Sequence, residues 1–458
     1  MRRIRWLLPL LFCGFASTAS ATDHLVDLAR AYVAAHTMSA HSVPSFARQT
    51  GLACSSCHYQ YLTLTPFGRE FKLNGYVLTN LSPITETDSA NGGRLALTPL
   101  SMLSAMVTAS VTHTKDGLPD TQNDAAELPQ ELSAFLAGRI STNMGLFAQF
   151  TYAGPDGAFG IDNVDIRFAN KTSIGGNELA YGLTLNNNPG VQDLWNSTPA
   201  WGFPFIGSEI APSGAASPMI DGGLSQNVLG LGSYAMLGNL LYAEVSAYRS
   251  AFQGAAAPSS ATGAIRGVAP YWRLALQKQW ATRYLMIGTF GMRTSLFPDA
   301  LSGPRDTYSD VGIDAQFESK AGSGNMVVRG SWIHESQKLD ATFVGGGSAN
   351  AKNSLKSLRV NASYYPRQWL GMTGGYFDTS GSTDTGLYAP ADVEGSANGS
   401  PKTSGFVGEV DFNPWENTRL GLQYTGYFNF NGQKTNYDGS GRNASGNNTL
   451  FAFVWLVF

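Results

Sequence analysis

From about residue 95 to the C-terminus, apolar and polar residues alternate with a period of two in short segments separated by turn-rich stretches. In 161–170, Val164, Ile166 and Phe168 fall on one face, and Asn163, Asp165 and Arg167 on the other. In 308–318, Val311, Ile313, Ala315 and Phe317 oppose Asp310, Asp314, Gln316 and Glu318. Leu358, Val360, Ala362 and Tyr364 oppose Arg359, Asn361 and Ser363 in the same way. This period predicts β-strands with one apolar face. Connections alternate in length as well. Tight turns near Thr142-Asn143, Gly238, Ala281-Thr282, Arg367-Gln368 and Pro414-Trp415 interleave with longer loops at 112–131, 188–224, 336–354 and 379–402. The pattern predicts an all-β fold: a transmembrane antiparallel β-barrel of about 16 strands, its short turns on the periplasmic side.

Composition decides where the apolar face points. Only 14% of residues are charged, against about 25% in soluble domains, while Gly (52), Tyr (19) and Phe (25) are abundant. Beyond the N-terminal segment no apolar run is long enough for a membrane helix. The apolar faces are therefore expected to meet lipid and the polar faces a lumen. Inward charges are expected at Asp165, Arg167, Arg273, Asp310, Asp314, Glu318, Arg329, Arg359, Glu409, Asp411 and Arg419, as a cross-braced lumen whose carboxylates also suit a transient divalent cation. Trp272, Trp280, Trp332, Trp369 and Trp455 are candidates for aromatic girdles, and the loop 188–224 for an inward fold that narrows the pore. The final strand, 450–458, ends on Phe458 and resembles the terminal strand of bacterial outer-membrane barrels. A net charge of −3 excludes a nucleic-acid partner, which needs a basic footprint.

The N-terminus reads differently. Met1-Arg2-Arg3-Ile4-Arg5, an apolar run from Trp6 to Phe15 and Ala19-Ser20-Ala21 have the order of a secretory signal peptide, placed at 1–21. Cys13 lies in that run behind bulky Phe12, which disfavours a lipoprotein cleavage site. The other two cysteines form Cys54-Ser55-Ser56-Cys57-His58. C-x-x-C-H is the attachment pattern of c-type haem: two thiols form thioethers at the porphyrin edge, and the adjacent imidazole is the proximal iron ligand. Zinc would need two further ligands, and a thioredoxin-like motif a βαβ context. A Cys54–Cys57 disulfide is the alternative. For the distal ligand, His24, His36, Met38 and His41 lie upstream and Met102, Met106 and His113 downstream, with no His or Met between His58 and Met102. One covalent haem c, on Cys54, Cys57 and His58, is the expected cofactor. The domain around it is assigned to 22–84, with a helix over 23–36, and a linker at 85–94 joins it to a barrel at 95–458.

Around the motif stand Pro44-Ser45-Phe46-Ala47-Arg48-Gln49-Thr50-Gly51, Leu64-Thr65-Pro66-Phe67-Gly68-Arg69 and Phe71-Lys72-Leu73-Asn74-Gly75-Tyr76. This stretch resembles the fused monohaem cytochrome c–porin family of the bacterial outer membrane, whose characterised members are iron oxidases. The resemblance implies an outer-membrane protein that oxidises extracellular Fe(II) and passes electrons to a periplasmic c-type cytochrome. Cys54, Cys57 and His58 are the residues that carry over. A segment this short buries too little surface to stand alone. One haem also cannot wire a hydrocarbon layer of about 30 Å, so a plug inside the lumen is expected. Three alternatives stay open: outward electron transfer to extracellular acceptors, a solute porin with a structural or sensory haem, and a haem-free motif closed as a disulfide.

Overall fold

The computed structural model describes residues 45–78, 102–119, 121–154, 157–251, 263–298 and 301–458. The signal peptide, the helix at 23–36, the linker at 85–94 and His24, His36, Met38 and His41 lie outside the described residues.

Sixteen long strands run in chain order. The first eight are β1 (Leu103–Thr114), β2 (Ala125–Ser141), β3 (Met144–Ala153), β4 (Ala158–Ile174), β5 (Asn177–Asn186), β6 (Val228–Leu237), β7 (Leu241–Ser250) and β8 (Ala269–Gln279). The second eight are β9 (Arg283–Phe297), β10 (Asp306–Ala321), β11 (Gly324–Leu339), β12 (Lys352–Arg367), β13 (Leu370–Gly381), β14 (Thr403–Trp415), β15 (Thr418–Asn429) and β16 (Thr449–Val457). Each pairs antiparallel with its sequence neighbours, and β16 pairs with β1 from Thr449↔Thr114 to Val457↔Met106. The two-residue strand Ala264–Ile265 joins the same sheet beside β9. The sheet is a closed sixteen-stranded barrel, so no edge strand leaves its N–H and C=O groups unpaired.

The two faces carry opposite chemistry. On β10, Asp310 and Asp314 are buried while Val311 and Ile313 are about half exposed. On β4, Asp165 and Arg167 are fully buried and Ile166 points outward between them. Apolar side chains outside and charged ones inside are the reverse of a soluble core and fit a wall that faces lipid. All eleven charges expected to point inward do so, Arg359 in a lumenal cavity. Trp272, Trp280, Trp332 and Trp369 face outward. Trp455 does not: it follows Phe451 and Phe453 along the inner row of β16 and lines a lumenal cavity. Nearly every residue of that strand is apolar, so polarity could not reveal its register.

Several boundaries move. Pro414 and Trp415 close β14, leaving Glu416-Asn417 as the turn, and the loops reduce to 115–124, 340–351 and 382–402 because their flanking strands run further.

Candidate functional site

Residues 45–78 occupy the short-turn end of the lumen. They form α1 (Ser45–Thr50), α2 (Cys54–Cys57), a small hairpin of His58–Gln60 with Thr63–Leu64, and α3 (Pro66–Leu73). Thr65 organises the local chain. Its hydroxyl accepts from Gly68 N–H as the N-cap of α3 and donates to Ser56 O, while its own N–H donates to Cys57 O. Pro66 at the first helical position completes the start of α3. Gly68 is required by proximity: a Cβ there would lie 2.2 Å from Cys57 O. Phe46 packs edge-on to Phe71 and stacks on Tyr76, with centroids 5.2 and 5.4 Å apart.

Barrel side chains pin this segment. Ser45 N–H donates to Ser104 Oγ (2.6 Å), Tyr59 hydroxyl to Glu318 (2.9 Å), Gln60 to Asn413 (3.2 Å) and Tyr76 hydroxyl to Asp165 (2.6 Å). Arg69 pairs with Glu318 and lies over the Tyr284 ring. Arg167 donates to Lys72 O, and Tyr234 to Leu73 O. Burial next to these charges explains why so short a segment holds a fixed position without its own core.

The loop 187–227 between β5 and β6 folds inward, as its position and composition suggested, and meets the plug. Lys72 Nζ donates to Val191 O (2.8 Å), Asp193 O (2.6 Å) and Asn196 Oδ1 (3.0 Å). Burial pulls Lys72 down to about 7, with the Arg167 charge adding to the effect. Asp193 in turn meets Arg273 at 3.2 Å and accepts from the N–H groups of Ser197 and Thr198. Burial alone would raise its carboxyl, but Arg273, Lys72 and those backbone donors outweigh it and hold Asp193 below the usual carboxylate range.

Two cavities result, with the loop as their common wall. The inner one, about 480 Å³, is lined by Cys54, Cys57 and His58 together with Met106, Phe135, Trp201 and Trp455. The outer one, about 620 Å³, lies on the long-loop side and is lined by Arg329, Arg359, Asp221, Asn361 and residues of the loop. Asn196, Pro199, Trp201, Gly202 and Pro204 border both.

The inner cavity suits a c-type haem. Cys54 and Cys57 are free thiols on one helical turn facing a largely apolar space of ligand size. His58 is half-buried, but its Nδ1 is covered and has no hydrogen-bond partner, and desolvation lowers the imidazole to about 4, which favours the neutral form that can ligate a metal. Of the described candidates for a distal ligand, Met106 alone lines the cavity. His113 is corrected away: it is exposed on the outer row of β1 and contacts Asp124. The sequence held a usable signal for Met106, because the inner row of β1 is otherwise Ser104, Thr108, Ser110, Thr112 and Thr114.

Burial raises both thiols to about 12, helped at Cys54 by Glu416 and at Cys57 by Cys54. In haem-free protein at pH 8 each is expected to alkylate about a thousandfold more slowly than an ordinary thiol. Iodoacetamide labelling followed by mass spectrometry checks this, and rates equal to those of the unfolded chain would contradict the shielding of these partly covered thiols.

Most of the inward carboxylates expected to suit a divalent cation are engaged by arginines instead. Asp165 is bound by Arg167, Asp314 by Arg273, and Glu409 and Asp411 by Arg419. Among the described residues no group of three or more His, Cys, Asp or Glu side chains is placed to hold a metal ion.

No protein-family model and no curated protein matches the sequence. Among solved structures the chain is similar to OmpF of Salmonella typhi in complex with daunomycin, at 12% identity and a TM-score of 0.46, over 78% of this chain and 97% of that one. It is similar to an anion-selective porin from Comamonas acidovorans, at 13% identity and a TM-score of 0.45, over 78% and 98%. It is also similar to the outer membrane channel DcaP of Acinetobacter baumannii, at 13% identity and a TM-score of 0.43, over 78% and 96%. The chain's own sheet defines its class: a closed sixteen-stranded antiparallel barrel with a polar interior.

Proposed function

We propose that this chain is an outer-membrane electron-transfer protein that oxidises extracellular Fe(II) at one covalent haem c and delivers electrons to a periplasmic c-type cytochrome. The observation that supports it most is the inner cavity where the C-x-x-C-H turn and Met106 meet, inside the barrel at its short-turn end. Cys54 and Cys57 would hold the group covalently, His58 would ligate its iron, and Met106 would complete the coordination. When bound, a c-type haem supplies a one-electron ferric/ferrous couple. The chain's part is to exclude water with Phe135, Trp201 and Trp455 and to keep the His58 imidazole neutral. It also places the site one loop thickness from the outer cavity.

An anaerobic optical titration of the purified holoprotein with Fe(II) tests the reading. Reduction to a c-type ferrous spectrum is expected. A haem that forms but stays oxidised refutes iron oxidation, and if planar bilayers then show substantial conductance the chain is a solute porin with a structural haem. Met106→Ala is expected to convert the ferric spectrum from low to high spin and lower the potential, since a His/Met pair raises it. An unchanged spectrum would assign the distal ligand elsewhere.

A further inference from the structure

The outer cavity has the wrong charge for a bare cation. Its charged lining consists of Arg329, Arg359 and Asp221, and Asp221 is already held by Arg359 through contacts of 2.6 and 3.3 Å. Two guanidiniums therefore face one carboxylate.

Arg329 is the unusual member. It is buried at 5% exposure, its Nε donates to Gln316 (3.0 Å), and its Nη1 reaches Asn196 O (3.5 Å). Its Nη2 has no partner. The carboxylates acting on it, Glu318 and Asp193, are engaged elsewhere, by Arg69 and by Arg273. A buried guanidinium with an unmatched donor costs free energy unless an acceptor joins it.

We propose that this cavity binds a small organic polycarboxylate, held by the charge of the Arg329 guanidinium in its wall together with Arg359. The guanidinium edge matches a carboxylate in charge and shape. Asn361 and Thr379 offer further polar contacts, while Phe203 and Phe377 cover a carbon skeleton that an inorganic oxyanion would lack. Resting on the function proposed above, the inference extends to the donor: ferrous iron arrives as its polycarboxylate chelate. With haem bound in the inner cavity, the Fe(II) chelate would give up one electron across the wall formed by Trp201 and Gly202 and leave as the Fe(III) chelate, with no covalent bond made or broken.

Calorimetric titration of the full-length holoprotein in detergent with citrate tests the site without electron transfer. Saturable one-to-one binding is expected, weakened at least tenfold in Arg329→Gln and less in Arg329→Lys, which retains the charge. Arg359→Gln, at a more exposed position, provides a second variant if Arg329→Gln misfolds, and is also expected to bind more weakly. Equal affinity in wild type and folded variants, or no saturable binding, overturns the site. Inorganic phosphate competing as well as citrate overturns the carboxylate assignment. In stopped-flow reduction, Arg329→Gln is expected to raise the half-saturating concentration of Fe(II)-citrate about tenfold and that of aqueous Fe(II) by clearly less. An equal effect on both donors overturns the chelate assignment. If neither donor reduces the haem, the electron-transfer reading fails while the citrate result still decides the site.

Discussion

Replacing Cys54 and Cys57 with alanine is expected to yield a folded barrel with no covalent haem. The two thiols lie on a four-residue helical turn in the lumen, outside every strand of the closed sheet. Truncating a partly covered Cys removes one sulfur each and costs about 1 kcal/mol, the usual scale for such changes. Haem stain after denaturing electrophoresis should fall from one equivalent per chain to none, with the β-sheet circular dichroism unchanged. Reduction by Fe(II) should vanish in parallel. Full haem retention in the double variant would end the thioether assignment. A wild-type protein isolated with Cys54 joined to Cys57 and without haem would leave the disulfide reading in its place.

The second large effect is expected from Arg273→Ala. This guanidinium is wholly buried, donates to Asp314 at 3.0 and 2.8 Å, meets Asp193 at 3.2 Å and lies over the Trp195 ring. Truncation leaves two buried carboxylates without their cation, a loss of about 3–5 kcal/mol. Because Asp193 belongs to the inward loop and Asp314 to the wall, the loop should detach before the barrel unfolds. Protease cleavage within 187–227 and a red-shifted Trp emission report detachment, and an uncleaved loop in a correctly folded variant would contradict the role. Acid should imitate the mutation. The folded Asp193 pKa lies below the ordinary value near 3.8, so its contribution is fully present above that pH. It is lost as pH falls through the lower folded value.

What the sequence could reveal depended on polarity contrast. On β10 the alternation of Asp310 and Asp314 with Val311 and Ile313 made the inner face readable, and all the charges assigned to the lumen point there. On β16 both rows are apolar, so Trp455 was placed on the wrong side. The C-x-x-C-H motif is local chemistry and is legible in five residues. Met106, Trp201 and Arg329 come together only through strand closure and an inward loop, long-range events that a linear pattern does not encode. The roles of Arg69 and Lys72 were equally hidden, because their partners Glu318 and Asp193 are remote in sequence.

The pairing of β1 with β16 also constrains assembly. Residues 45–78 precede β1 in the chain, yet the completed wall surrounds them, and the last strand supplies Trp455 and Val457 to the cavity beside Cys54 and Cys57. That cavity does not exist until the final strand has docked. Any machinery that joined a haem to the two thiols would have to act on an open chain, before the seam between first and last strands is sealed. On the proposed function, the timing of strand docking would separate chains loaded with haem from chains that close without it.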